Sequence, residues 1–246
     1  MTRLTACKDA ETVAQRAATH IARQLTLARE QRGIAHLALS GGNTPRRAYE
    51  LLGAAPQALA ELELWFADER CVAPEDPESN YLLVAETLLA RAALPPERVH
   101  RMQGEAGPHE GARRYASELS QALVEADGDH ADPSGLPLLD VIVLGIGPDG
   151  HVASLFPGAA TLDADEHALC LGVSDSPKPP PKRITLSLAV LRAARECVLL
   201  VTGAGKADAL AAMLGEPSRH VPASLLRRER LTVFADDAAA PGAPRG

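Results

Sequence analysis

The chain has 246 residues, 46% of them hydrophobic, enough core for one large α/β domain or two small ones. Its formal net charge of −7 argues against a nucleic-acid partner and requires any anionic ligand to find a locally positive pocket. Four scattered cysteines (Cys7, Cys71, Cys170, Cys197) without a CxxC pair, eight histidines without ligand spacing, and no apolar run near the ~18–20 residues of a membrane span predict a reduced, cytoplasmic protein with no metal and no membrane partner.

Val13, Ala17, Ile21, Leu25 and Ala28 recur at helical spacing, which predicts an amphipathic helix over 9–31. A short buried strand is expected at 36–40, followed by a helix in which Pro45 occupies the first turn and 46–52 continue. A second strand is expected at 63–67, then helices at 80–92 and 110–124. The apolar residues of 140–144 predict the next strand, with further strands at 167–173, 197–201 and 231–234 and a helix at 206–214. Strands alternating with helices predict an α/β fold with a mostly parallel sheet covered on both faces, and ligands of such sheets bind beyond the carboxyl ends of the strands. Segments 126–136 and 174–181 read as loops. A single domain over 1–234 is expected, with an Ala-, Pro- and Gly-rich tail, 235–246, expected to be disordered.

Four motifs sit at expected strand ends. Ser40, Gly41, Gly42, Asn43 and Thr44 lie between a strand and a helix, where glycines let successive N–H groups and a helix dipole converge on an anion. No P-loop pattern is present, and an ordinary turn with Thr44 as helix cap is the competing reading. Asp68, Glu69 and Arg70 follow the second strand directly, as site residues or as a solvated loop. Gly145, Gly147 and Gly150 match G-x-G-x-x-G after a strand, the dinucleotide pattern. Pro148 removes an N–H donor there, Asp149 would face a pyrophosphate, and Asp163 and Asp165 precede the next strand rather than end it. The same segment delivers Asp149 and His151 to a strand's carboxyl end. Arg183 follows the stiff stretch SPKPPPK, and Lys206 opens a helix after Gly203 and Gly205.

Together, LSGGNTP (39–45), WFADERCV (65–72) with SNY (79–81), GIGPDGHVASLFPG (145–158), SPKPPPKRITL (176–186), VTGAGKA (201–207) and VPAS (221–224) resemble the 6-phosphogluconolactonase family, in the family's order and across almost the whole chain. The wider superfamily includes glucosamine-6-phosphate deaminases, whose DGH histidine works with a glutamate five residues on; that position here is Phe156, which favours the lactonase. Val152 departs from the threonine of many relatives and removes a hydroxyl beside the histidine.

The resemblance implies a Rossmann-like three-layer αβα sandwich and hydrolysis of 6-phospho-D-glucono-1,5-lactone to 6-phosphogluconate in the oxidative pentose phosphate pathway, without cofactor. A monomer is expected, with a dimer left open. His151 is the expected general base, since imidazole titrates near ~6.5. Asp149 orients it or binds a sugar hydroxyl. Backbone N–H groups of the glycine turn or Arg70 are candidates to hold the oxyanion. Ser40, Gly41, Gly42, Asn43, Thr44, Arg183 and Lys206 are expected to bind the phosphate, and Asp68, Glu69 and Gly147 the rest of the substrate.

Overall fold

The computed structural model describes residues 2–92, 94–125 and 129–243. In chain order the first half comprises β1 (Arg3–Cys7), α1 (Ala10–Arg32), β2 (Ala35–Leu39), α2 (Asn43–Gly53), β3 (Leu62–Phe66), β4 (Asp68–Arg70), α3 (Asn80–Val84) and α4 (Pro108–Leu119). The second half comprises β5 (Val141–Gly145), β6 (Cys170–Val173), β7 (Arg183–Leu186), α5 (Leu188–Ala193), β8 (Glu196–Val201), α6 (Ala207–Leu214) and β9 (Leu231–Asp236).

Six strands form one sheet in the order β1-β9-β8-β5-β2-β3, with every neighbouring pair parallel and helices on both sides. The strands β2 and β5 lie at its centre, and all of β2 and the first four residues of β5 are buried. That double covering is why both read as near-continuous apolar runs, with His36 the one polar residue of β2. The α1 helix begins where Asp9 caps it, its carboxylate accepting from the Thr12 N–H at 2.8 Å. Its buried face, Val13, Ala17, Ile21, Leu25 and Ala28, is the one the spacing predicts.

The aromatics other than Tyr81 are buried, and the hydroxyls of Tyr49 and Tyr115 are satisfied. The Tyr49 hydroxyl donates to the Ser40 carbonyl at 2.7 Å, and the Tyr115 hydroxyl accepts from the Phe66 N–H at 2.7 Å. Packing and hydrogen bonding therefore fix the same turn after β2 that carries the glycine motif.

Several elements differ from expectation. The β1 strand was not anticipated. It is a five-residue edge strand that pairs with β9, so its pairing joins the two ends of the chain. The strand expected at 167–173 is shorter and leaves the main sheet for a three-stranded antiparallel sheet, β4-β7-β6. Only Val173 of β6 is buried, the half-solvated pattern of antiparallel sheets. The expected helix at 80–92 is regular only to Val84 and continues through Ala85–Leu89 as a wider turn. The last strand runs on to Asp236, past the expected boundary. There the Asp236 carboxylate accepts from the Gly203 and Ala239 N–H groups, and Ala239 and Ala240 are buried. Those bonds give the start of the tail an order its composition does not announce. The rest of that expectation, 244–246, and the start of the expected 126–136 loop, 126–128, lie outside the described residues.

Candidate active site

Chain order reverses across the sheet between β2 and β5. From β2 the chain steps outward to β3, whereas from β5 it steps the other way to β8 and β9. The loops leaving β2 and β5 therefore diverge and open a crevice at the carboxyl ends of the strands, where parallel sheets bind ligands. A cleft of about 420 Å³ occupies that place. Its wall includes residues 40–45 from one loop and Gly145, Ile146, Gly147, Pro148 and His151 from the other. Asp68, Arg70, Asn80, Lys178, Arg183 and Lys206 also line it.

His151 is three-quarters or more shielded and is held from behind. Its Nδ1 lies 2.6 Å from Asp149 Oδ1, while Nε2 has no protein partner among the described residues. This bond fixes the tautomer with the proton on Nδ1 and leaves the Nε2 lone pair available. Burial pushes the imidazole below its ordinary range, opposed by Asp149 and reinforced by the Lys178 charge. The Asp149 carboxyl drops to about 2; burial works against this, but the bonds and charges of His151 and Lys178 outweigh it. The backbone must pass close beneath the pair. A Cβ on Gly147 would stand 2.0 Å from His151 Nδ1 and 2.3 Å from Asp149 Oδ1, so only glycine fits. The VPAS segment braces the loop from outside, the Ala223 N–H donating to the Gly150 carbonyl at 3.0 Å. The Phe156 ring lies against the imidazole at 4.6 Å between centroids, its other contact the Arg183 guanidinium at 5.6 Å.

The first loop presents a glycine turn and an uncapped helix start to the cleft. Gly42 has φ 102°, a conformation open to glycine, and directly precedes α2 with no side-chain cap. The helix starts at Asn43, one residue before Thr44, so Thr44 is not its cap; its hydroxyl lies 3.3 Å from that of Thr202. Ser40 Oγ is buried without a protein partner among the described residues. The Lys206 ammonium reaches across to the Ile146 carbonyl at 2.6 Å, and burial followed by the Lys178 charge lowers its pKa. Arg183 is buried and its Nε and Nη2 donate to the carbonyls of Pro180 and Pro179, at 3.1 and 2.9 Å.

The β4 residues divide by role. Asp68 faces the cleft, its Oδ2 accepting from the Ser154 hydroxyl at 2.7 Å and its Oδ1 from Asn80 Nδ2 at 3.2 Å. Arg70 also lines the cleft, with Nε buried and unpartnered among the described residues. Glu69, expected among the substrate ligands, does not line it. Its carboxylate turns inward and accepts from the N–H groups of Arg70, Asn80 and Tyr81 at 2.7–2.8 Å and from the Ser79 hydroxyl. Burial pushes its carboxyl upward despite these donors. Strand alternation explains the split, since residue 69 must point away from the face shared by 68 and 70.

Two wall residues lay inside quoted motifs without an assigned role. Lys178 belongs to the proline-rich stretch, and its ammonium lies 3.0 Å from Asp149 Oδ1 and 3.3 Å from His151 Nδ1. Asn80 belongs to SNY, and its Oδ1 is buried without a partner among the described residues. Neither residue has a spacing signal, because each meets the site through a separate loop. Among the described residues no three His, Cys, Asp or Glu side chains are grouped to hold a metal, and no helix is long and apolar enough to cross a membrane.

Residues 8–234 match the family model described as glucosamine-6-phosphate isomerases/6-phosphogluconolactonase. A 6-phosphogluconolactonase of Streptomyces coelicolor is 39% identical over 97% of this chain and 93% of its own length. One of Homo sapiens is 39% identical over 94% of this chain and 86% of its own. A solved 6-phosphogluconolactonase from Trypanosoma cruzi aligns with a TM-score of 0.85 at 25% identity, covering 98% of this chain and 97% of that one.

Proposed function

The chain belongs to the glucosamine-6-phosphate isomerase/6-phosphogluconolactonase family, and from that premise we propose that it hydrolyses 6-phospho-D-glucono-1,5-lactone to 6-phosphogluconate by general-base activation of water. Relatives that cover nearly the whole chain carry the lactonase name, and they support an enzyme of lactone hydrolysis in the pentose phosphate pathway. The observation that carries the mechanism is the His151–Asp149 pair, with the free Nε2 in the same cleft as the glycine loop and four cations, Arg70, Lys178, Arg183 and Lys206.

In this reading the phosphate rests on the N–H groups and hydroxyls of Ser40, Gly41, Gly42, Asn43 and Thr44, with Arg183 and Lys206 supplying charge. His151 Nε2 takes a proton from water as the water oxygen bonds to C1. The carbonyl electrons move onto its oxygen, where Arg70 or the N–H groups of the glycine turn stabilise them. As the tetrahedral centre collapses, the C1–ring oxygen bond breaks and the imidazolium returns the proton to the departing oxygen. Asp149 holds the ring and balances its transient charge. An ester already strained in a ring needs no covalent nucleophile. Burial lifts the Cys71 thiol to about 11, which leaves it a poor candidate.

Deamination of glucosamine 6-phosphate is the alternative chemistry within the family. Phe156 stands beside the imidazole where that reaction's glutamate is expected, so no second carboxylate is offered there. The test is a coupled assay in which glucose 6-phosphate and its dehydrogenase generate the lactone, and its decay is followed with and without this protein. Faster decay supports the reading. Ammonia release from glucosamine 6-phosphate, with lactone decay unchanged, rejects it.

A further inference from the structure

We propose that Lys178 is a positioning residue that holds Asp149 and keeps His151 in its neutral form. The inference rests on the reading of His151 as the base. A carboxylate against Nδ1 ordinarily favours the imidazolium, which is the wrong form for a base. Here a second cation competes for the same carboxylate oxygen. Asp149 Oδ1 accepts from Lys178 Nζ at 3.0 Å and from His151 Nδ1 at 2.6 Å, and the two nitrogens are 3.3 Å apart. With the imidazole neutral, the ammonium and the carboxylate cancel. Protonating the ring would place two cations in contact.

The other charges around the ring do not replace this one. Asp68 on β4 favours the imidazolium. Arg183 on β7 lies over the Phe156 ring, and its guanidinium is bonded to the carbonyls of Lys178, Pro179 and Pro180. Lys206 is turned to the Ile146 carbonyl. Lys178 is therefore the cation in hydrogen-bond reach of the pair.

Its placement is built into the 174–181 loop. Ser176 Oγ donates to the Lys178 carbonyl at 2.9 Å and accepts from its N–H at 3.2 Å. Arg183 Nη2 bonds that carbonyl too, at 3.3 Å, and the two following prolines are held by the same guanidinium. The backbone is thus anchored from β7, and the flexible stem only has to span to Asp149. Such support from neighbouring hydrogen bonds is what holds a charge in a set position.

The test is the titration of the His151 imidazole by NMR on histidine-labelled protein, its resonance identified by loss in His151→Ala. Lys178→Met is expected to raise the titration midpoint by about one pH unit, whereas Lys178→Arg restores it to within about 0.3 unit. Lys178→Gln gives the same reading if the methionine variant does not fold. The acid limb of kcat/KM should move with the midpoint. An unmoved midpoint in the charge-removing variants overturns the proposal. So does a KM more than about tenfold higher with the midpoint unmoved, which would make Lys178 a substrate ligand. If the midpoint moves while the acid limb stays, the charge effect of Lys178 stands and the general-base reading is the part that fails.

Discussion

Arg70 and Arg183 are direct register partners across the antiparallel β4–β7 pair, and both line the cleft. Like charges directly opposite on a sheet repel, so an anion between them would relieve a cost the free protein carries. Arg183→Ala and Lys206→Ala are each expected to raise KM by about tenfold or more with a smaller change in kcat. Inorganic phosphate should raise the Tm of the unaltered protein more than that of either variant. Steady-state kinetics and thermal melting check this, and unchanged KM in both variants would reject the phosphate site.

Removing the imidazole tests the base directly. His151→Ala should lower kcat by roughly 10²-fold or more at an unchanged Tm. The base must be neutral to act, and burial sets the folded pKa of His151 below its ordinary value. Activity is therefore lost as pH falls through a midpoint below ~6.5 and is retained above it. A kcat/KM profile with its acid limb above 7 contradicts the assignment.

Gly147→Ala examines the platform rather than the base. The added methyl overlaps His151 Nδ1 and Asp149 Oδ1, so the pair has to shift. Displacement of about an ångström in a catalytic group costs on the order of 10²-fold in rate. The expected result is a large fall in kcat with substrate protection against heat retained, read by kinetics and by Tm with phosphate present.

Glu69→Ala separates fold from chemistry. Three N–H groups and a hydroxyl lose their acceptor, and each buried orphan costs ~1–3 kcal/mol. The prediction is a marked loss in Tm, with any folded fraction keeping a near-native KM. A raised KM at unchanged Tm would return Glu69 to the substrate.

Acid stability should be governed by His36, whose pKa falls to about 3, chiefly through burial. Its Nδ1 accepts from Trp65 Nε1 at 3.2 Å, a bond that requires the neutral ring. The unfolded chain binds this proton near ~6.5 and the folded chain does not, so stability falls as pH drops from ~6.5 toward 3. His100 stacks on Trp65 at 3.8 Å and bonds Glu63 and Glu118. Burial works against its charged form, yet the two glutamates raise its pKa, so its stabilisation is present below ~6.5 and lost as pH rises through its folded value. His36→Asn should flatten the fall of Tm between pH 6.5 and 4, while His100→Asn should steepen it. Trp65 fluorescence reports both transitions.

The central sheet was legible because β2, β3, β5 and β8 are near-continuous apolar runs between turn residues, a pattern set by burial on both faces. The glycine loop and the DGH loop were legible because backbone close approach and helix starts demand particular residues at fixed spacing. The β1 strand was not, since a five-residue edge strand is stabilised by a partner more than two hundred residues away in sequence. Of the β4-β7-β6 sheet only β6 was expected as a strand; β4 and β7 are three and four residues long, and their pairing is between segments far apart in sequence.

By itself the sequence determined an α/β chain with a mostly parallel sheet, the loops at its strand ends, and the glycine turn that carries Asp149 and His151 to one of them. Tertiary structure decided how the charged residues meet there. It turned Glu69 inward by strand alternation, set Arg70 opposite Arg183 by antiparallel register, and brought Lys178 onto Asp149 from a separate loop. Such contacts depend on distances in space between segments, and local residue pattern carries no record of them.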